Sequence, residues 1–332
     1  MKKLGKILLI SAAVLVVVLT VAITFTIGWR PFIGPKKRAV TSRQFERTPE
    51  RLARGKYLVR GLLDCESCHS PKDWTEHGGP IPIGMALAGQ AVSDDPGFPG
   101  KLVIPNITPD LETGIGKWTD DQIARAIREG IRNDDTTLFP MMPYEGFKRL
   151  SDEDIAAVVV YLRSVAPVKN PLPPMEINFP VNYLVRSAPE PITQPVPGPN
   201  MSDPIARGKY MVALGCGCHN PTEKSRYSGG EHLKGPWGDV VSPNLTSDPS
   251  GISYYTAGTF ISAMRTGYVG ARKLNSIMPF IQIRNLSDDD LKAIFAYLKT
   301  LPPVKHRVDN TLPPTYCKVC KQSHGGGDQN KI

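Results

Sequence analysis

The chain has 332 residues, with 40 lysines and arginines against 31 aspartates and glutamates, a formal net charge of +9. That length holds about two domains plus appendages, which excludes a single small module. The surplus positive charge bears on partners and says nothing about fold.

Lys2, Lys3 and Lys6 precede a run from Ile7 to Trp29 that carries no charge. As a helix this run spans roughly 35 Å, enough to cross a bilayer. A cleaved signal peptide is the alternative, but its apolar core would be about 7–15 residues followed by a small-x-small site, and Ala22 to Arg30 offers none. We therefore expect a transmembrane anchor over residues 1–29. Arg30, Lys36, Lys37 and Arg38 follow it in a basic linker, 30–47, suited either to anionic headgroups or to plain solvation. Because basic residues flank both ends, charge alone does not orient the span.

Thr48-Pro49 has the chemistry of a helix start, with proline at the first helical position. The helix it opens would carry Leu52, Tyr57 and Leu58 toward Cys65-Glu66-Ser67-Cys68-His69. Two cysteines three apart followed by histidine form the pattern of c-type haem attachment. On a helical turn both thiols share a face, and His69 can swing beneath the iron. A zinc knuckle or a redox dithiol is the rival for a bare cysteine pair. Covalent haem c is assembled outside the cytoplasm, so the globular part is expected in the periplasm, on the inner membrane, where nucleic acid is excluded as a partner.

From Ser70 to Leu111 glycine and proline predict loop. Thr119-Asp120-Asp121-Gln122 is a capping box, after which Ile123, Ile127 and Ile131 share a helical face. Ser151-Asp152-Glu153-Asp154 starts another helix, with acidic residues at the positive end of its dipole and Ile155, Val158, Val159 and Leu162 at core spacing. Val168 to Pro204 is dense in proline and predicts a stiff, extended connector able to wrap over its neighbours.

The chain then repeats itself. Ala53-Arg54-Gly55-Lys56-Tyr57 returns as Ala206-Arg207-Gly208-Lys209-Tyr210, and Pro105-Asn106-Ile107-Thr108 as Pro243-Asn244-Leu245-Thr246. Leu150-Ser151-Asp152 returns as Leu286-Ser287-Asp288, leading into Leu291, Ile294, Phe295 and Leu298. Met142 and Met278 each precede a proline eight residues before that helix start, so they occupy equivalent sites. A histidine–methionine pair closes the iron and suits electron transfer, which makes Met142 and Met278 the expected distal ligands, with Met141 as competitor for the first. The expected division is therefore domain 1 over 48–167, connector over 168–204, domain 2 over 205–304 and a cysteine-containing tail over 305–332.

The second motif departs from the first: it is Cys216-Gly217-Cys218-His219, one residue short. Positions i and i+2 on an α-helix point roughly 200° apart, so Cys218 alone is expected to form a thioether, with His219 still on iron and Cys216 doubtful. A haem-free second domain is the alternative. In the tail, Cys317-Lys318-Val319-Cys320 and His324 form a third group. It fits an oxidised pair, a disordered tail, a metal knuckle one ligand short of four, or a third haem ligated by Lys321. His77, His232 and His306 are expected at the surface, the first two being conceivable replacements for methionine on iron.

On these motifs the chain resembles the membrane-anchored multihaem cytochrome c subunits that accompany periplasmic dehydrogenases for alcohols and gluconate. The resemblance covers roughly Pro49 to Val304. It implies an all-α fold of two class I cytochrome c domains in tandem behind one transmembrane helix, binding two haem c groups. His69 and His219 would be proximal, Met142 and Met278 distal. It implies relay of electrons from a periplasmic dehydrogenase, or another redox protein, toward quinone or a terminal oxidase, with no catalysis of its own. A cytochrome c subunit of a respiratory oxidase, or a dihaem peroxidase-type enzyme, are the alternatives.

Overall fold

The computed structural model describes residues 2–92, 98–220 and 222–330. Residues 1, 93–97, 221, 331 and 332, which fall within the expected anchor, the two expected domains and the tail, lie outside the described residues. Helix α1 (Lys2–Phe25) holds a 23-residue segment, Lys3–Phe25, whose most apolar 18-residue window has a mean hydropathy of 2.9, with none of that window buried against the rest of the chain. It is long and apolar enough to cross a membrane. After a short α2 (Arg30–Ile33) the basic linker runs extended along acidic partners. Arg38 pairs with Asp121 and Glu129, Lys37 with Asp135 and Lys36 with Glu190, so these cations meet carboxylates of the same chain.

Helix α3 (Pro49–Tyr57) starts where Thr48 caps the Arg51 N–H. It runs into a π-helical turn, Leu58–Leu62, and then α4 (Cys65–Cys68). The capping box on Thr119 forms and opens α5 (Asp120–Glu129), and Gly130 closes it in the left-handed region. A short α6 (Tyr144–Phe147) precedes α7 (Asp152–Ser164), whose N-cap Ser151 accepts from the Asp154 N–H at 3.1 Å. Beyond a turn of helix, α8 (Val181–Leu184), the pattern recurs: α9 (Pro204–Gly215), α10 (Ala257–Thr266), α11 (Phe280–Ile283) and α12 (Asp288–Thr300).

The two halves repeat at the level of single hydrogen bonds. Helix α3 crosses α7, and α9 crosses α12, each where a glycine lets backbones touch: a Cβ on Gly55 or Gly208 would lie 2.0 Å from the carbonyl oxygen of Ala157 or Ala293. Arg54 grips Asp154 through two bonds of 2.7 and 2.8 Å, and Arg207 grips Asp290 at the equivalent place. Asn106 accepts from the Thr108 N–H and donates to Val168 O at 2.7 Å; Asn244 does the same with Thr246 and Val304. Ile155, Val158, Val159, Leu162, Leu291, Ile294, Phe295 and Leu298 are all buried in one continuous apolar cluster that spans both halves. Leu52 is 40% exposed and turned away from it, because Gly55 and Leu58 hold the buried face of that helix.

Some expectations are corrected. Alongside the helices the described residues form five two-stranded sheets, so the description all-α is too strong. β1 (Gln90–Ala91) pairs with β3 (Val103–Ile104), and β2 (Gly100–Lys101) with β4 (Glu176–Ile177). β5 (His232–Gly235) and β6 (Gly238–Val241), then β7 (Tyr268–Val269) and β8 (Arg272–Lys273), form hairpins closed by glycine turns. β9 (Thr315–Tyr316) and β10 (Ser323–His324) place the tail in an ordered hairpin where disorder was one expectation. The connector is held to the first half at several points. β4 adds to β2, Asn170 donates to Ala88 O at 2.9 Å, and Asp152 exchanges bonds with the backbone of Val196.

What joins the halves is a reciprocal exchange. Tyr57 donates to Asp290 and accepts from the Ser287 N–H at 3.0 Å. Tyr210, its counterpart, donates to Asp154 at 2.8 Å and accepts from the Ser151 N–H at 3.0 Å. Each tyrosine thus caps the last helix of the opposite half. Burial, with the neighbouring carboxylate, pushes both hydroxyls from 10.0 up to about 12. A phenol that stays protonated in the fold but ionises near 10 when unfolded stabilises below that pH, and the stabilisation is lost as pH climbs from 10 to 12. Tyr57→Phe and Tyr210→Phe should each cost about 1–3 kcal/mol in urea denaturation at neutral pH. The double variant should also show a shallower alkaline decline than the parent. Identical alkaline profiles would mean these hydroxyls do not link the halves.

Candidate functional site

The local fold delivers His69 by a defined route. The π turn and Asp64, which sits at φ 50, rotate the chain out of α3 so that Cys65 starts a fresh helical turn. The His69 N–H then bonds Cys65 O at 2.9 Å. The His69 ring, 8% exposed, has Nδ1 2.7 Å from Pro105 O. Since a carbonyl only accepts, Nδ1 carries the proton and Nε2 keeps a free lone pair, the arrangement of a histidine that ligates metal. His219 repeats this with Nδ1 2.8 Å from Pro243 O and the same 8% exposure. Burial pushes both imidazoles below their usual range, toward the neutral form that ligates.

The Pro-Asn-(Ile/Leu)-Thr motif thereby acquires a role that the sequence reading left unassigned. Its proline carbonyl fixes the histidine, and its asparagine clamps that carbonyl's strand to the end of the half through Val168 or Val304. Its recurrence after each histidine was the available signal. The backbone of the following loop closes back on each histidine, Gly89 N–H to His69 O at 2.7 Å and Gly229 N–H to His219 O at 3.0 Å.

Met142 and Met278 lie in matching turns. Each carbonyl accepts from the N–H two residues on, at 2.8 Å, and Pro143 and Pro279 share φ −80 with ψ 47 and 51. Both methionines are partly buried against the apolar cluster that also takes Cys65 and Cys216. Met141, the competitor, is 48% exposed. Next to Met142, the Tyr144 hydroxyl is buried with no protein partner, a donor free for a polar group of a ligand.

The second motif is not on an α-helix. α9 ends at Gly215, and Gly217–His219 is a 3₁₀ turn entered from Cys216 at φ −111. The 200° of an α-helix therefore does not apply as stated, but a 3₁₀ turn with about 3.0 residues per turn still sets positions i and i+2 roughly 120° apart, so the two thiols diverge. Cys216 is partly buried and Cys218 exposed, the order seen for Cys65 and Cys68. Gly215, just before the second motif, packs on Leu62, just before the first, so the two motifs approach each other at the junction of the halves.

A redox dithiol needs a depressed thiol pKa. Here burial raises the Cys65 thiol well beyond its usual range, and Cys216 goes up to about 12. The donor set of a neutral imidazole with Nε2 free, two protonated thiols and a half-buried thioether fits haem c and not a dithiol switch. Of the other histidines, His232 is exposed beside Asp239, whereas His77 is half-buried, bonding Leu274 O at 3.0 Å and packing on Tyr268 and Phe280.

Residues 50–162 match the family model of cytochrome c oxidase, cbb3-type, subunit III. The chain is 30% identical over 322 residues to the cytochrome c subunit of alcohol dehydrogenase (quinone) from Gluconacetobacter polyoxogenes, covering 82% of this chain and 65% of that protein. It is 32% identical over 272 residues to the gluconate 2-dehydrogenase cytochrome c subunit of Pantoea cypripedii, covering 75% and 59%. To a diheme cytochrome c-type protein of Cereibacter sphaeroides it is 29% identical over 262 residues, covering 73% and 83%. The chain thus spans a little under two thirds of the length of the first of these relatives. It carries a cytochrome c domain, and its homologues are cytochrome c subunits of alcohol and gluconate dehydrogenases and a diheme cytochrome c.

Proposed function

We propose that this chain is an electron-transfer cytochrome of two tandem class I domains, each with one haem c, anchored by α1 and facing the periplasm. It would take electrons from a periplasmic dehydrogenase and pass them toward quinone or a terminal oxidase. The observation that carries this reading is the duplication of one ligand cradle: buried histidine, proline carbonyl on Nδ1, and Met-Pro turn, in both halves. Haem c, when bound, supplies a one-electron iron couple.

The protein's part is to make that couple closed and steady. The carbonyls of Pro105 and Pro243 hold the Nδ1 protons and keep each ring in one orientation, so Nε2 is presented without rearrangement. Met142 and Met278 would fill the opposite position and raise the potential, leaving no place for a substrate. Cys65 and Cys68 would attach the first group, and Cys218 the second by a single thioether, leaving Cys216 free. The names of the relatives, which are dehydrogenase subunits, favour relay over the oxidase-subunit and peroxidase readings.

The test is haem and ligand stoichiometry on the full-length protein. We expect two haems per chain, no carbon monoxide uptake by the reduced form, and peptide mapping that finds one thioether in the Cys216–Cys218 segment. Avid carbon monoxide or cyanide binding at one centre would favour the peroxidase reading and overturn the relay. Two thioethers in that segment would overturn the single attachment alone.

A further inference from the structure

The tail's cysteine pair is not used by either haem cradle. As a sequence group, Cys317, Cys320 and His324 lack a fourth ligand. The fold supplies it from an unexpected place: His306, expected at the surface just beyond α12, is 1% exposed. One ligand atom each from His306, Cys317, Cys320 and His324 lie within 4.8 Å of one another. We propose that these four side chains bind one zinc ion, which clasps the tail onto the second half.

Four independent features point to a built site. His306 Nδ1 sits 2.8 Å from Ser228 O, so it is protonated and Nε2 carries the lone pair; that Nε2 is buried with no partner among the described residues. Leaving a buried nitrogen of this kind unpartnered is costly unless something binds it. His324 is 6% exposed, its Nε2 is 2.9 Å from Cys320 Sγ, and its ring stands 5.0 Å from that of His306. The cysteine turn has the form that points two sulfurs to one spot. The Val319 N–H approaches Cys317 Sγ at 3.4 Å, the Lys321 N–H bonds Cys317 O at 2.9 Å, and Lys321 takes φ 63 to turn the chain into β10. Finally the scaffold is fixed from outside, because Asn310 exchanges bonds of 2.7 and 2.9 Å with the backbone of Val241 on β6.

The metal class follows from the donors. Two sulfurs and two imidazoles in a compact four-point set suit tetrahedral Zn²⁺, with Zn–S about 2.3 Å and Zn–N about 2.0–2.1 Å. Those lengths place neighbouring ligand atoms about 3.3–3.8 Å apart, so the widest separation closes by roughly an ångström while the 2.9 Å Cys320–His324 pair opens by roughly half an ångström. Binding is not a redox step: each thiol gives up its proton to solvent, and the two thiolates coordinate. With all four positions taken by protein the site has no room for a substrate, so its work is structural. It ties the tail to Ser228, whose neighbour Gly229 bonds His219 O, and thus to the loop around the second histidine.

The experiment uses the full-length chain, purified with its haems from cells grown with zinc sulfate. Zinc and iron are counted by elemental analysis after gel filtration in EDTA, and the zinc edge is examined by X-ray absorption. About one zinc per chain, with two sulfur and two nitrogen neighbours at the distances above, is expected. In the Cys317→Ser/Cys320→Ser double variant zinc should fall at least tenfold while haem absorption persists. His306→Ala should also lose zinc, but it empties a position only 1% exposed and so disturbs packing as well; the wild-type coordination count decides independently. A Cys317–Cys320 disulfide in non-reducing peptide maps, iron in excess of haem at this site, or zinc retained by the double-serine variant would each overturn the assignment.

Discussion

On the proposed ligand set, Met142→Ala should convert a chain expected to take up no carbon monoxide when reduced into one that binds about one equivalent, because removing the thioether would open one iron. Met278→Ala should do the same at the other centre, and the double variant should bind about two. In each case the potential of the affected haem should fall, since a methionine ligand beside histidine is what raises it, and the methionine–iron charge-transfer band should be halved in either single variant and lost in the double one. Met141→Ala is the internal control. Its side chain is 48% exposed, whereas Met142 packs against the apolar cluster. The turn geometry gives the reason to expect equivalence: Met142 and Met278 precede prolines of the same φ and carry the same carbonyl contact. An unchanged spectrum in Met142→Ala, with full carbon monoxide resistance, would remove Met142 from the iron.

Much of this arrangement was legible in the sequence because it is local. Capping residues Thr48, Thr119, Ser151 and Ser287 announce their helices, and each side chain does accept the expected N–H. Histidine after a cysteine pair announces its ligand chemistry in the same way. What escaped was non-local. Nothing near His306 marks it as buried; its partners are Ser228 on one side and the 317–324 hairpin on the other. The tyrosines of the repeated Ala-Arg-Gly-Lys-Tyr motif are placed by sequence near the haem motifs, yet each reaches the opposite half, a contact 56 and 233 residues away in the chain. Helical periodicity also cannot register the three residues by which Tyr210-to-His219 is shorter than Tyr57-to-His69, 9 against 12 positions. The first half fills that length with the π turn and α4, while the second ends α9 at Gly215 and turns at once.

Gly55→Ala and Gly208→Ala should each be strongly destabilising. At both positions a Cβ would stand 2.0 Å from a backbone carbonyl oxygen of the crossing helix and 2.7 or 2.9 Å from the Cβ of Tyr161 or Tyr297. Ordinary contact begins near 3.4 Å, and neither neighbour is the free end of a flexible side chain, so the helices themselves must separate by more than an ångström. That separation loosens the Arg54–Asp154 or Arg207–Asp290 pair and the apolar cluster beneath it. Overpacking of a close-packed core costs about 1–3 kcal/mol even where side chains can yield; here they cannot, so at least about 3 kcal/mol is expected. Alanine's better helix propensity returns no more than about 1 kcal/mol. Gly146→Ala isolates that propensity term, since its Cβ would meet nothing nearer than 3.9 Å, and it should be neutral or slightly stabilising. Because one apolar cluster spans both halves, loosening either crossing should weaken both, and urea unfolding of each variant should stay a single transition at lower midpoint. A midpoint for Gly208→Ala equal to that of the parent would mean that α9 and α12 do not cross at Gly208.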